Sequence, residues 1–380
     1  MTHYPDMFKK KYLADYATDR NNNFNLIRFI AASLVLYSHS HSLTVTGLNM
    51  DPLMASTGIS FGNFAVHVFF ITSGFLVTAS LLNRADMKVF LKARVLRIVP
   101  GLFVANLFTV FVIGTLFTIL PLNYYFGEKE LYRYMVTNTV LLFDDLRWTL
   151  PGVFLSNPYE KAVNGSLWTL PYEVQMYAIL VLIGLLTYTR AKLLNTRSIL
   201  WLTGLGSLAL VGYNIVHYID TQKMIYWPVL GGMFFTGAAA YLLRGRIVMS
   251  SLIALPMLAS LYYYATGWPP GTTYFVLYWL FLTYLTLYLS YVPRGPLLHY
   301  NKLGDYSYGL YIYAFPIQQA LVSHFPDISP DQLTYAAYPL TLIAAVLSWH
   351  FVEKKALTLK NKPLLSALPR PWKKRPMGER

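Results

Sequence analysis

The sequence predicts an all-α fold: a polytopic membrane protein with about ten transmembrane helices and both termini in the cytoplasm. Of its 380 residues, 55% are hydrophobic and 13% are charged, and the mean hydropathy is +0.41. A soluble core of this size does not need that much apolar surface. A helix of about 20 apolar residues crosses a bilayer. Apolar stretches of suitable length occupy residues 26–47, 61–83, 99–121, 167–188, 198–218, 226–243, 247–266, 273–291, 303–324 and 334–352.

Three regions follow from this pattern. Residues 1–25 form a polar cytoplasmic segment without a signal-peptide pattern, so the first span is expected to be an uncleaved anchor. Residues 26–352 form the transmembrane domain. Residues 353–380 form a basic tail with Lys, Arg and Pro clusters, which predicts disorder. The longest connection, about 122–166, lies outside, and we expect it to be a binding loop or to contain short helices of its own.

Orientation follows from the distribution of positive charge. With a cytoplasmic N-terminus, all but five of the 31 Lys and Arg residues fall on the cytoplasmic side or adjoin it. The five outside are Lys129, Arg133, Arg147, Lys161 and Lys223. This asymmetry is the positive-inside pattern, and a missing or extra span would break it.

The charge and the cysteine content exclude several functions. A net charge of +14 is typical of nucleic-acid binders, but here the basic residues are dispersed over cytoplasmic loops and the tail. They indicate topology and contact with anionic headgroups, so no nucleic-acid partner is expected. The chain has no cysteine, which excludes disulfides, thiolate metal sites and a cysteine nucleophile. We expect no metal.

Candidate chemistry begins in the first span. Arg28 and His39 are eleven residues apart, about three helical turns, so they share a face and lie about 16 Å apart. A histidine in the outer part of a membrane is often a packed residue, but its register with Arg28 favours a role in chemistry. A neutral imidazole there could take a proton from an alcohol. His41 faces away from Arg28 and is a weaker candidate.

Two further polar residues lie at the predicted depth of His39. His67 and Glu173 are each about 9 Å below the outer surface, on different spans. Glu173 is a charged residue inside an apolar stretch, and such residues are functional candidates by default. A carboxylate near His39 could orient the imidazole or stabilise the imidazolium.

A pair of arginines precedes the third predicted span. Arg94 and Arg97 are three residues apart, so they share one helix face and can both reach phosphate oxygens. Taken alone, they are an ordinary positive-inside cluster. Together with Arg28 they predict an anion site at the cytoplasmic mouth of a path that ends at His39. The phosphates of a coenzyme A thioester could bind there and present the acyl group deep in the membrane.

Through these residues the chain resembles acyltransferase family 3. The members of this family are polytopic bacterial enzymes that O-acylate surface and secreted glycans. Arg28 to His39 is similar to the Arg-x10-His motif of the family, and Arg94 to Arg97 to its paired arginines. The resemblance covers about residues 24–354. Four further segments match family signatures in the same order: 69–76 (FFITSGFL), 164–173 (NGSLWTLPYE), 306–311 (YSYGLY) and 351–354 (FVEK).

The resemblance implies that acyl-CoA, usually acetyl-CoA, binds from the cytoplasm and that the acyl group reaches a sugar hydroxyl outside the bacterial inner membrane. The acceptor would be a surface glycan such as lipopolysaccharide or exopolysaccharide, or a lipid-linked precursor. His39 would be the catalytic histidine, acting as a general base or carrying the acyl group. Arg28, Arg94 and Arg97 would engage the coenzyme, and Glu173 would support His39 or bind the acceptor.

Other residues have weaker signals. Ser73, with the glycine after it, could form a narrow passage for the acyl arm or simply allow close helix packing. Trp168 and Tyr172 could stack on a sugar, and we expect His67 to contact the acceptor too. His67 stands where many relatives carry Asp, and Ala314 where many carry His, so no essential role is assigned to position 314.

A transporter or flippase for a glycan or a lipid-linked oligosaccharide is the alternative. Transporters also place ionisable groups at mid-membrane, commonly between repeated halves with broken helices. The sequence contains no evident repeat. A transporter would also not explain an arginine pair in register with an Arg-x10-His helix. Consumption of acetyl-CoA, with an ester left on the glycan, distinguishes the two functions.

Overall fold

The computed structural model describes residues 10–18, 21–44, 51–84, 86–141, 145–188, 195–221, 223–267 and 272–361. Over these residues the chain is helical, with isolated β-bridges and no strand, which confirms the all-α prediction. The N-terminal segment and the C-terminal tail lie largely outside the described residues. The described start of the tail is helical, through Lys354–Thr358 and Leu359–Asn361.

Ten helices of 17 residues or more lie within the described part of the chain, at or close to the predicted stretches. They are α1 Phe24–Thr44, α2 Phe61–Arg84, α3 Met87–Phe108, α4 Leu170–Leu186, α5 Thr196–Thr221, α6 Tyr226–Leu242, α7 Ser251–Gly267, α8 Thr272–Tyr291, α9 Ser307–His324 and α10 Pro330–Ser348. Short 3-10 turns lead into α4 (Gly165–Thr169) and precede α9 (Gly295–Lys302).

Six helical segments in the described residues are long and apolar enough to cross a membrane. They are Phe61–Asn83, Met87–Phe117, Gly165–Leu186, Thr196–Thr221, Tyr274–Tyr291 and Pro330–Thr358. They indicate a multi-pass membrane protein. The count of ten spans and the cytoplasmic position of both termini remain predictions. Helix α9 does not meet the same criteria, but most of its length is buried between α1 and α10, which allows it to carry polar side chains.

The third helix begins earlier than predicted. We expected a span at 99–121, but α3 starts at Met87 and continues through a π-helical segment to Phe117. The carboxylate of Asp86 accepts the backbone N–H groups of Lys88 and Val89, which starts the helix before the apolar stretch begins. Arg94 and Arg97 therefore lie within the third helix rather than in a segment before it.

Helices α2 and α6 approach each other at two glycines. A Cβ on Gly74 would overlap the carbonyl oxygen of Phe234, and a Cβ on Gly237 would overlap that of Ile71. Backbones this close leave no room for a side chain. The contact fixes the middle of α2, and with it the position of Ser73.

The long connection before α4 contains the short helices Leu122–Gly127 and Lys129–Val140, followed by an irregular segment. It packs with the end of the third helix in a hydrophobic cluster in which Tyr125 and Tyr134 are fully buried. Part of the irregular segment also lines a cavity next to His39.

Candidate active site

Three arginines converge on one cavity between α1, α2, α3, α4 and α9. We call it the arginine cavity; its volume is about 90 Å³. Its polar lining residues are Arg28, Ser73, Arg94, Arg97, Thr169, Glu173, Tyr177, Ser307, Tyr308 and Tyr311. The arginines from the first and third helices therefore share one site.

Two buried carboxylates balance two of the arginines. Asp305 Oδ2 lies 3.1 Å from Nη1 of Arg28 and 2.5 Å from Nη2 of Arg97. Glu353 Oε2 lies 3.4 Å from Nη1 of Arg97 and is almost wholly buried. Each carboxylate offsets part of the positive charge of the arginine beside it. Asp305 thus links α1 to α3 through a shared ion pair.

Asp305 was not predicted as a site residue, and Glu353 was recognised only as part of a motif. A usable signal was present, because Asp305 lies inside the apolar stretch 303–324 and Glu353 directly follows 334–352. Arginines inside or beside apolar stretches need acidic partners, since an unpaired buried charge is costly. These two carboxylates were the available candidates near the ends predicted to be cytoplasmic.

The 306–311 segment positions this network. Ser307 Oγ donates to the other carboxylate oxygen of Asp305, at 2.5 Å. Tyr308 Oη donates to the backbone carbonyl of Ile98 at 2.9 Å, which ties α9 to α3. Gly309 has no room for a side chain, because a Cβ there would lie 2.7 Å from Cα of Ala345 on α10.

Arg94 is in a different position from the other two arginines. No carboxylate among the described residues lies within ion-pair distance of its guanidinium, and its buried Nε has no hydrogen-bond partner. The guanidinium carbon lies 5.8 Å from the ring centroid of Phe90 and 5.9 Å from that of Tyr177. Arg94 therefore presents to the cavity a positive charge that forms no direct ion pair with a described carboxylate.

Ser73 and Glu173 also belong to the arginine cavity. Ser73 Oγ donates to Glu173 Oε1 at 3.1 Å and lies 3.0 Å from the hydroxyl of Tyr177. Tyr177 donates a short hydrogen bond to the same carboxylate oxygen. No hydrogen bond joins Glu173 to His39 in the described part of the chain, so the structure does not place the predicted catalytic carboxylate beside the histidine.

His39 lines a second, larger cavity of about 700 Å³, which we call the histidine cavity. Its imidazole packs edge to face against Phe315, with ring centroids 5.2 Å apart, and its buried Nδ1 has no hydrogen-bond partner. Phe315 is held in turn by Gly165, since a Cβ on Gly165 would lie 2.5 Å from the Phe315 ring. Trp168 lines the same cavity.

The two cavities adjoin. Val66 and Tyr311 line both of them, and Tyr311 is fixed by a 2.6 Å hydrogen bond to Thr169. Arg28 lines one cavity and His39 the other, on the same helix. Val66 and Tyr311 therefore form part of the wall between the arginines and the histidine.

The structure does not bring His67 or Tyr172 into either cavity. Nδ1 of His67 lies 2.8 Å from the hydroxyl of Tyr278, and His67 lines a separate apolar cavity of about 40 Å³. Tyr172 packs against Trp168, with ring centroids 6.0 Å apart. His39, His67 and Glu173 thus line three different cavities. Equal depth along three helices does not fix the direction in which each side chain points.

No group of three His, Asp or Glu side chains suited to a metal ion occurs among the described residues. What the site offers instead is a set of cations on one side, an imidazole on the other, and a short shared wall. Such an arrangement can hold an anionic group at one end and move a proton at the other.

Comparison with known proteins places the chain in a family. The sequence profile described as "Acyltransferase domain" matches residues 21–350. The chain is 28% identical to the "O-acetyl transferase" of Shigella phage Sf6, over 91% of this chain and 99% of that protein. It is 26% identical to "Nodulation protein 10" of Rhizobium leguminosarum bv. viciae, over 91% of this chain and 96% of that protein. No solved structure matches. The chain therefore belongs to acyltransferase family 3.

Proposed function

We propose that this protein transfers an acetyl group from cytoplasmic acetyl-CoA to a hydroxyl of a surface or secreted carbohydrate, across the bacterial inner membrane. The family and the relative named O-acetyl transferase support O-acyl transfer. The donor, the acceptor and the membrane are our proposals. The observation that carries them is the shared wall of Val66 and Tyr311 between the arginine cavity and the histidine cavity.

The donor would enter at the arginines. Phosphate oxygens accept charge-assisted hydrogen bonds from guanidinium groups, which are among the stronger hydrogen bonds in proteins. Arg28 and His39 are separated by about 16 Å along α1, close to the reach of an extended phosphopantetheine arm. With its phosphates near Arg94, the arm would pass Ser73 and bring the thioester to the wall shared with the histidine cavity.

His39 would act as the general base. Its imidazole takes the proton from the acceptor hydroxyl, and the oxygen attacks the thioester carbonyl. The carbon–sulfur bond then breaks, an ester forms on the sugar, and the proton passes to the departing coenzyme A thiolate. The acceptor would occupy the histidine cavity, which His39 lines. Its hydroxyl can then react with the thioester directly, and this route needs no acyl group on the protein.

The test is complementation of a deletion strain. Ester-linked acetyl on purified surface glycans would be measured by NMR with wild type, His39→Gln, Arg28→Ala and His41→Gln. Loss of the base is expected to lower transfer by roughly 100-fold or more. His41→Gln is the matched control, because His41 makes a local contact with the Tyr37 carbonyl and lines neither cavity.

Restoration by wild type and His41→Gln, but not by expressed and membrane-inserted His39→Gln or Arg28→Ala, is the expected outcome. Normal acetylation with His39→Gln would overturn the base assignment. Altered glycan export without any loss of ester would instead indicate the transporter. Acetyl trapped on the purified protein in the absence of acceptor would replace direct transfer with an acyl-enzyme route.

A further inference from the structure

The histidine cavity is lined by three aromatic rings that remain partly exposed. Trp148, Tyr159 and Tyr226 line it and keep 38%, 47% and 50% of their surface exposed. Exposed aromatics on a membrane protein commonly form belts that face the lipid interface. These three face a concave space of about 700 Å³, within the usual size range of small-molecule sites.

The segment that carries two of these rings is firmly held. Gln319, fully buried on α9, donates from Nε2 to the backbone carbonyls of Tyr159 at 2.8 Å and Ala162 at 2.7 Å. Asn157 donates to the Gln319 side-chain oxygen at 2.8 Å. The carbonyl of Trp148 accepts the N–H of Val163 at 2.7 Å. Rings on a fixed backbone lose little conformational entropy when they bind a ligand.

The rings line the same cavity as His39. Tyr159 lies 5.9 Å from Phe315, centroid to centroid, and Phe315 contacts His39. Tyr226, at the start of α6, packs against Trp168 with ring centroids 4.7 Å apart. The irregular segment after the helix Lys129–Val140 contributes one aromatic surface to the cavity, and the start of α6 contributes another.

The rest of the described lining mixes apolar side chains with neutral polar groups and contains no Lys or Arg. Ser38, Ser42 and Asn63 contribute hydroxyl and amide groups. None of the described lining residues is Lys or Arg, and Asp51 already accepts the N–H groups of Leu53 and Phe61. A pyranose ring has an apolar C–H face and a rim of hydroxyls, which match aromatic faces and neutral polar groups. An anionic sugar would find no counter-charge there.

We propose that Trp148, Tyr159 and Tyr226 form an aromatic clamp that binds an uncharged sugar ring of the acceptor and presents its hydroxyl to His39. This inference rests on the proposed function for the nature of the ligand. The clamp makes the segment around 148–162 and the start of α6 the determinants of acceptor specificity. Gln319 is a positioning residue, because it acts through the backbone of that segment.

The test measures sugar binding and acetyl transfer separately. The full-length protein in lipid nanodiscs would be mixed with oligosaccharides released from the de-O-acetylated surface glycan of the deletion strain. Saturation-transfer NMR reports binding and identifies the contacted ring protons. Trp148→Ala and Tyr159→Ala are expected to weaken binding by about tenfold, as loss of an aromatic contact implies. Trp148→Phe and Tyr159→Phe should restore most of it.

The control is Tyr132→Ala, which removes an exposed tyrosine of the outer helix Lys129–Val140 that does not line the cavity. In the transfer assay the clamp variants should raise the acceptor KM by the same factor and leave the acetyl-CoA KM unchanged. Unchanged sugar binding in both alanine variants, or no binding to wild type, would overturn the clamp. Clamp-dependent binding without acetyl transfer would retain the clamp and refute the proposed function.

Discussion

Arg94 is the cation of the arginine cavity that has no carboxylate partner among the described residues. We therefore expect it to provide most of the phosphate affinity. Arg94→Gln should raise the KM for acetyl-CoA by roughly tenfold or more, the value of a charged hydrogen bond. The melting temperature should fall only slightly, because no ion pair is lost and only the contacts of Arg94 with two aromatic rings are removed. An unchanged KM would show that the phosphates bind elsewhere.

Asp305 has a structural role that Arg94 lacks. Asp305→Asn removes the charge that balances two partly buried arginines, Arg28 and Arg97. Breaking a buried pair in this way costs about 3–5 kcal/mol, so thermal unfolding in detergent should move to clearly lower temperature. Asp145→Asn is the matched control, because Asp145 pairs with Arg147 at an exposed position, where ion pairs contribute little. Equal melting temperatures for the two variants would contradict this role.

The sequence shows which side chains carry charge but not which of them contact each other. The register of Arg28 and His39 follows from helix geometry alone, and both line cavities. The pairing of Glu173 with Ser73 and Tyr177 depends on how α4 is rotated against α2. The rotation of one helix against another cannot be predicted from a single sequence. His39, His67 and Glu173, which were predicted to lie at a common depth, therefore line three different cavities.

The close contact between α2 and α6 holds α2, and with it Ser73, in position at the arginine cavity. Gly74→Ala and Gly237→Ala would each push a methyl group against a backbone carbonyl of the other helix. We expect a large loss of folded protein, measured by fluorescence-detected size exclusion. Gly204→Ala on α5 has open space around its Cβ and should be neutral or slightly stabilising. Normal yield and stability in Gly74→Ala would show that the helices can separate freely.

Helix positions were largely predictable, because apolar stretches of about 20 residues are a strong signal. The start of α3 was not predictable in this way, because its first turns are basic and polar rather than apolar. The position of its first residue depends on the Asp86 cap. The aromatic segment at 148–162 was also missed. Its structure depends on Gln319, which lies far away in sequence, and it has no periodicity of its own.

The orientation of the whole molecule can be tested directly, because the chain has no cysteine. Lys129→Cys and Lys88→Cys each introduce one thiol at an exposed position. The charge distribution predicts that a membrane-impermeant maleimide labels position 129 in intact cells and position 88 only after permeabilisation. Lys302→Cys should behave like position 88. The reverse pattern would invert the topology and place the arginine cavity at the outer face.

The most direct measurement of the central claim is sided transfer in proteoliposomes of known orientation. Labelled acetyl-CoA would be supplied at the face next to Arg94, and de-O-acetylated glycan at the face next to the histidine cavity. Labelled ester should form on the glycan in this arrangement and not when the two substrates are exchanged. It should be absent with His39→Gln. Ester formed only when donor and acceptor share one face would contradict transfer through the two adjoining cavities.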